Sequence, residues 1–562
     1  MKPTVARYLS AAFDAYGVSA VFFVPTILSK TLYELERHTS IARILTHGEK
    51  AAAYMADGYA RASGHPAVCM AQNIGAANLA AGLRDPYLGC SPVVALTGGP
   101  YESSRGRNYY QEIEDFPLFK PVTKFSGQVF DPERIPDMVA QAFHTSVSGK
   151  PRPTHLELPG HAGEMLEDVE LDVELPEPES LVLPRIRMEP PADCLAAAAR
   201  ALNGAQRPVI VCGGGARSSG AGPEVVALAE RLGIPVATSM NGKDTIPGDH
   251  PLNVGVAGLY SRPSANQVIV ESDLVCYVGS QTGSQVTLMW SVPPLSRQII
   301  QLDIEPEAFG RHYPNTIAVP GDAKLSLQRL ASVLSGASPA SRSAWVERCQ
   351  QLVRDWREGQ REHWASDDVP IRPERVLGDL SAHLPDDALV VSDTGHSGMW
   401  SAGYLDLNGP DKRFIRAAGS LGWGLPASLG AKLAVPERPV VLFTGDGGLW
   451  YHLSELETAR RWNIKTVTVV NNNSSLNQEI RPYTEAYGGE LHGRHHELWR
   501  FSDVDFARVA EAIGVRGFSV RKPADFASTL QQALETDGPT LIDVRTDADI
   551  MPPRGSAEPA AS

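Results

Sequence analysis

Three α/β units, each built on a doubly wound parallel sheet, are the fold this sequence predicts, and three observations lead there. Short β-rich runs alternate with Ala-rich stretches of helical period along most of the 562 residues. Some of these runs empty directly into glycine turns, as Pro208-Val209-Ile210-Val211-Cys212 does into Gly213-Gly214-Gly215. Two intervals of poor periodicity divide the chain: 166–191, acidic and proline-bearing, and 336–369, which opens on the small-residue stretch Gly336 to Arg342.

The first unit, 1–165, is expected to place strands at Ala20-Val21-Phe22-Phe23-Val24 and Val93-Val94-Ala95-Leu96-Thr97. The second, 192–335, opens with a helix, continues into the Pro208 strand and its glycine turn, and later ends Ile299-Ile300-Gln301-Leu302-Asp303 in an acidic turn, a Rossmann-like layout. The third, 370–550, carries the chemistry. Residues 551–562, rich in Pro, Ala and Ser, read as a loose tail.

Bulk properties narrow the class. Lys+Arg 51 against Asp+Glu 65 gives a net charge of −14, which disfavours nucleic acid as the main partner and favours small-molecule chemistry. Six cysteines are scattered without a CxxC pair, so neither zinc nor a disulfide framework is indicated, and a reducing, cytoplasmic setting follows. The apolar patch Val18 to Val24 follows Arg7 and Asp14 and is too short to span a bilayer, so no secretion or membrane insertion is expected.

Thr444-Gly445-Asp446-Gly447-Gly448 gives the sharpest chemical signal. Asp446 is expected at the carboxyl end of Val440-Val441-Leu442-Phe443, where such sheets bind ligands, among glycines that let backbone N–H groups approach an anion. Asn473, 473−446 = 27 positions on, follows the run Val467-Thr468-Val469-Val470. Two neighbouring strands then bring a carboxylate and an amide oxygen to one point, and Ser475 is counted with them as a metal ligand. Hard oxygens of this kind suit Mg2+ shared with phosphates. A Gly-Asp-Gly tripeptide alone is an ordinary turn, so the weight lies on the Asn pair at its spacing.

The segment His47 to Arg61 supplies a possible partner. Glu49, Ala52, Met55, Ala56 and Tyr59 share a helical face, and a carboxylate on an apolar stripe is costly to bury unless neutral or hydrogen-bonded. The plain alternative is a solvated first-turn acid favoured by the helix dipole.

Taken together, these segments resemble the signatures of thiamine diphosphate (ThDP) enzymes of the acetolactate synthase and pyruvate decarboxylase superfamily. The resemblance covers nearly the whole chain. It rests on Met55-Ala56-Asp57-Gly58-Tyr59-Ala60-Arg61, on Tyr109-Tyr110-Gln111-Glu112, on Ser392-Asp393-Thr394-Gly395-His396, on Gly419 to Pro426, and on the Asp446 and Asn473 pair. It implies a pyrimidine-binding first unit, a Rossmann-like middle unit and a diphosphate-binding third unit. It implies that Glu49 hydrogen-bonds a ring nitrogen of the aminopyrimidine, and that Gln111 is a polar group facing the cofactor. Cofactor contacts are implied for Thr394, Gly395, His396, Gly419, Leu421, Gly445, Asp446, Gly447, Gly448, Asn473 and Ser475. Leu421 would support the bent cofactor, although a Leu is also an ordinary core residue. Sites in this family lie between subunits, so a homodimer or homotetramer is expected.

The chain also departs from its relatives. Pyruvate decarboxylases carry an acid near the first strand and a His-His pair, where this chain has Val24-Pro25-Thr26-Ile27-Leu28 and Asn108-Tyr109-Tyr110. Flavin-bearing acetolactate synthases carry Arg-Phe-Asp-Asp after a middle-domain strand; here Val278-Gly279-Ser280-Gln281-Thr282-Gly283-Ser284 stands, so FAD is not expected. Their hydrophobic segment after the Asn pair is replaced by Leu476-Asn477-Gln478-Glu479-Ile480-Arg481. Glu479, 479−446 = 33 positions past the aspartate, stands where the decarboxylases have an active-site Glu; its plain alternative is a surface acid paired with Arg481. His492, His495 and His496 have no carboxylate or cysteine partner in the pattern and read as loop residues.

The expected activity is decarboxylation of a small 2-oxo acid and ligation of the acyl unit to a carbonyl acceptor. The alternatives are a ThDP-dependent C–C lyase or hydrolase acting on a 2-hydroxyacyl-CoA, 2-hydroxyketone or diketone, and a non-catalytic regulatory homologue.

Overall fold

The computed structural model describes residues 2–101, 103–334 and 339–558. Met1, Glu102, 335–338 and the tail's 559–562, which fall within the divisions expected above, lie outside the described residues.

Three six-stranded sheets, all parallel in their pairing, form the architecture. The first holds β1 (Ala20–Phe23), β2 (Ala42–Leu45), β3 (Ala67–Ala71), β4 (Val93–Gly99), β5 (Phe125–Gln128) and β6 (Thr154–Pro159), in the order β2-β1-β3-β4-β6-β5. The middle sheet holds β7 (Pro208–Cys212), β8 (Val236–Thr238), β9 (Asn253–Val256), β10 (Leu274–Val278), β11 (Gln298–Asp303) and β12 (Thr316–Pro320), in the order β12-β11-β10-β7-β8-β9. The third holds β13 (Leu389–Ser392), β14 (Arg413–Arg416), β15 (Val440–Gly445), β16 (Thr466–Asn472), β17 (Arg516–Val520) and β18 (Thr540–Arg545), in the order β14-β13-β15-β16-β18-β17. Central strands such as β3, β7 and β16 are buried along their whole length, which is why they read as continuous apolar or β-branched runs rather than alternating ones.

The first and third units lock together through two helices, Glu49–Ser63 and Gly424–Ala434. Their backbones meet at glycines: a Cβ on Gly58 would lie 2.0 Å from the carbonyl oxygen of Ala427, and one on Gly430 would lie 1.8 Å from that of Met55. No side chain fits at either crossing. Buried charge reinforces the contact. Arg61 reaches Asp57 at 2.6 Å and Asp85 at 3.2 Å, and Asp57 also accepts from Trp423 Nε1 at 2.8 Å.

Two stretches depart from the sequence expectation. The interval 336–369 is mostly a helix, Ser343–Trp364, whose Trp345 and Cys349 are buried and whose Trp345 Nε1 donates to Pro208 O at 2.9 Å. Its sparse apolar positions are outnumbered by charged and amide side chains on the solvent face, which hid the period. The tail is not loose over 551–558: Gly555 N donates to Leu259 O at 2.9 Å and Glu558 N to Gln267 Oε1 at 3.0 Å, so the segment lies along the middle unit. Pro- and Ser-rich composition signals weak self-structure and carries no information about docking onto another surface. Among the described residues, no helix is long and apolar enough to cross a membrane.

Candidate active site

The third sheet reverses its strand order between β13 and β15, and a cavity of about 330 Å³ opens at the carboxyl ends of these strands and of β16. This is the switch point where open α/β sheets bind ligands. Thr394, Gly395, His396, Gly419, Leu421, Gly445, Asp446, Gly447, Gly448, Asn473, Ser475 and Glu479 all line it. Gly445 pairs with Asn471 in the β15–β16 register, so the residues just past each strand end emerge side by side.

Asp446 begins the short helix Asp446–Trp450. Its Oδ1 accepts from Gly447 N at 2.7 Å and its Oδ2 from Ser475 N at 3.1 Å. The side-chain oxygen of Asn473 accepts from the same Ser475 N at 3.1 Å and from the Ser475 hydroxyl at 3.0 Å. Two hard oxygens thus converge on one amide. Burial pushes the Asp446 carboxyl up to about 7 despite the bonds from Gly447 and Ser475. Asn471 adds a buried side-chain oxygen that has no hydrogen-bond partner among the described residues and lies on the cavity wall. An all-oxygen set with a single carboxylate leaves most of an octahedral shell to phosphate and water, as Mg2+ prefers.

Two acids outside the expected set organise the surrounding loops. Asp393, fully buried, accepts from Thr394 N at 2.8 Å, from Gly422 N and Gly424 N at 3.2 Å each, and from the Thr444 hydroxyl at 3.1 Å. It joins three cavity loops, and burial raises its carboxyl to about 6 against those bonds. Asp85, from the first unit, accepts from Ala418 N at 2.8 Å, Gly419 N at 3.2 Å and Ser420 N at 2.9 Å. Asp393 stands in the quoted motif beside Thr394 and was legible as a position, whereas nothing local in the sequence ties Asp85 to a loop more than three hundred residues away.

Glu49 and Gln111 do not line this cavity within the chain. Glu49 is the first residue of its helix and half-buried, and its Oε2 accepts from Asn78 Nδ2 at 3.1 Å. Gly75 packs against the other oxygen so closely that a Cβ there would lie 2.5 Å from Glu49 Oε1. Gln111 has a left-handed φ of 60°; its backbone carbonyl accepts from Asn73 Nδ2 at 2.6 Å, and its side-chain oxygen is buried without a partner among the described residues. These groups gather at the carboxyl ends of β2 and β3, forming a second polar cluster.

The pairing of Glu479 with Arg481 weighed from sequence is not formed among the described residues; Glu479 ends the 3₁₀ turn Asn477–Glu479 and faces the cavity. His396 Nδ1 lies 2.7 Å from Asn477 Oδ1, while Asn477 Nδ2 donates to Ala548 O at 3.2 Å. That orientation of the amide puts the imidazole proton on Nδ1 and leaves Nε2 a free acceptor. Burial lowers the His396 pKa to about 4, so the ring is neutral at physiological pH. A larger cavity, about 540 Å³, lies against the glycine turn 213–215 of the middle unit and reaches Asp303, Asn241 and Arg416. Arg416, Tyr260 and Gln285 line both cavities.

Comparison with known proteins agrees with this layout. The thiamine pyrophosphate enzyme N-terminal TPP binding domain matches residues 3–118, the central domain 195–330 and the C-terminal TPP binding domain 393–544. Similar relatives include a probable acetolactate synthase large subunit of Methanocaldococcus jannaschii, 32% identical with 97% of this chain and 93% of that protein covered. A probable 2-ketoarginine decarboxylase of Pseudomonas aeruginosa is also 32% identical, covering 94% and 92%. The acetolactate synthase isozyme 3 large subunit of Escherichia coli is 30% identical, covering 92% and 90%.

Proposed function

The chain belongs to the thiamine pyrophosphate enzyme family, in the acetolactate synthase and pyruvate decarboxylase superfamily, and on that premise we propose that it uses ThDP and Mg2+ to decarboxylate a small 2-oxo acid and join the acyl unit to a carbonyl acceptor. The observation that carries the reading is the convergence of Asp446, Asn473 and Ser475 with three glycine loops on one cavity. ThDP, when bound, supplies the electron sink.

The protein supplies position and proton control. Asp446, Asn473 and Ser475 would hold the metal, and backbone N–H groups of the glycine loops would take the diphosphate. Leu421 gives the cavity an apolar support. Glu49, fixed by Asn78 and Gly75, would hold a proton at its carboxylate against the pyrimidine. Its absence from the cavity of its own chain favours a homodimer or larger oligomer, in which a second copy completes each site. Glu479 at the cavity wall would deliver a proton to, or orient, the second reactant. The middle unit works without flavin in this reading, and the six free cysteines fit a cytoplasmic enzyme.

Calorimetry of ThDP with Mg2+, followed by mass spectrometry of products from a panel of 2-oxo acids, tests the proposal. Asp446→Ala should abolish measurable ThDP binding, because it removes the one carboxylate from the metal set; unchanged affinity overturns the assignment. Synthase and decarboxylase are both among the relatives' names, and a ligated hydroxyketone product rather than free aldehyde separates them. Flavin absorbance in the purified protein, with activity lost on stripping, would overturn the flavin-free part.

A further inference from the structure

Beside the cofactor cavity lies a second one of about 300 Å³, sharing Tyr260, Gln285, His396 and Gln478 with it and closed by Met551, Pro552 and Arg554 of the C-terminal segment. Its lining contains two guanidinium groups, Arg481 and Arg554, and no carboxylate. Neither guanidinium, the half-buried one of Arg481 or the exposed one of Arg554, makes a hydrogen bond or ion pair among the described residues, although most arginines of this acidic protein are paired. Both charges bear on the same imidazole, since Arg481 and Arg554 each help hold the His396 pKa down, after burial. Two convergent, unmatched cations in a recess with amide side chains form a receptor for a carboxylate or phosphate.

We propose that this recess binds a second anionic group on the substrate, remote from the reacting carbonyl, and so selects dianionic over monoanionic substrates. The proposal rests on the ThDP reading for the meaning of the adjoining cavity. The Gln478 and Gln285 amides add neutral donors. The docked C-terminal segment brings Arg554 to the site: the backbone bond from Gly555 to Leu259 and the close approach of Gly555 to Gly258 O, 1.9 Å from where a Cβ would stand, hold it against the middle unit. An anionic substrate tail is the chemistry shared by a dicarboxylic 2-oxo acid and an acyl thioester of a phosphorylated carrier, and the test separates them.

The protein is titrated calorimetrically with unreactive probes in two matched pairs: glutarate against its mono-amide, and coenzyme A against pantetheine. We expect the more highly charged member of one pair to bind more tightly, and Arg481→Gln and Arg554→Gln each to weaken that member by roughly 10- to 100-fold, the usual worth of a charge-assisted hydrogen bond. A glutarate preference identifies a carboxylate tail, and a coenzyme A preference a phosphate one. Equal affinity within both pairs, or parent-like affinity in both variants, overturns the proposal. ThDP binding measured on the same samples separates the two readings: its absence in the parent protein sinks the ThDP assignment, while the probe titrations still decide whether the recess is an anion site.

Discussion

The first and third sheets have the same strand order, two-one-three-four-six-five counted within each unit, yet the residues past the carboxyl ends of their strands differ in kind. Past β15 and β16 stand Asp446, Asn473 and Ser475, hard oxygens gathered around one backbone amide. Past β2 and β3 stand Glu49, Asn73, Gly75 and Asn78, a carboxylate fixed by an amide and crowded by a glycine. One topology therefore presents two polar clusters, which the proposed function reads as one half-site for a metal diphosphate and one for a proton. The middle sheet, with its different order, stands apart from this pairing. The lesson is that the switch point fixes where a ligand goes, while the few residues beyond each strand end decide what is bound.

The largest expected break of this comparison is at Glu49. Glu49→Gln keeps size and the Asn78 contact but removes the titrating proton, so turnover should fall roughly 10²- to 10⁴-fold while ThDP still binds. NMR of the ThDP C2 proton should show slowed exchange; exchange at the parent rate would remove Glu49 from its role. Mixing Glu49→Gln chains with Asp446→Ala chains sharpens the point. If the half-sites meet across subunits, random dimers regain roughly a quarter of parent activity, because each mixed dimer keeps one intact site. If they met within a chain, none would return.

Next comes Glu479, which lines the third unit's cavity but follows Asp446, Asn473 and Ser475 rather than joining them. Glu479→Gln should leave ThDP affinity and C2 exchange near parent values and slow product formation by roughly 10²-fold or more, with a changed ratio of ligated product to aldehyde. A parent-like product ratio by mass spectrometry would return it to a wall residue. The smallest effect is on stability and concerns the contact between the first and third units. Arg61→Met leaves Asp57 and Asp85 buried without their cation, and denaturant unfolding should show a loss of about 3–5 kcal/mol. A loss under 1 kcal/mol would mean that the glycine crossing and the bonds of Asp57 and Asp85 to the third unit hold the units together without the Arg61 charge.

Much of this was legible in the chain. The strand runs ending in Phe23, Cys212 and Asp303 appear within a residue or so of their expected limits, since strands buried on both faces are continuous in sequence. Every expected cofactor residue of the third unit reaches one cavity, because neighbouring parallel strands bring their carboxyl ends together by construction. The helix Ser343–Trp364 was hidden by its charged face, and the docking of 551–558 by its composition.

What the sequence determined by itself was local: strand periods, glycine turns, and the Asp446, Asn473 and Ser475 oxygens carried by adjacent strands whose spacing along the chain becomes proximity in space. Only the tertiary structure decided the rest. The grip of Asp85 on the Gly419 loop, the bond from Trp423 to Asp57 across the units and the meeting of Arg481 with Arg554 bring together residues distant in sequence, and the same packing keeps Glu49 away from the cavity of its own chain. Such contacts leave no period or spacing to read, because the energy of burying and matching charge depends on which surfaces meet, and that is settled when the units pack.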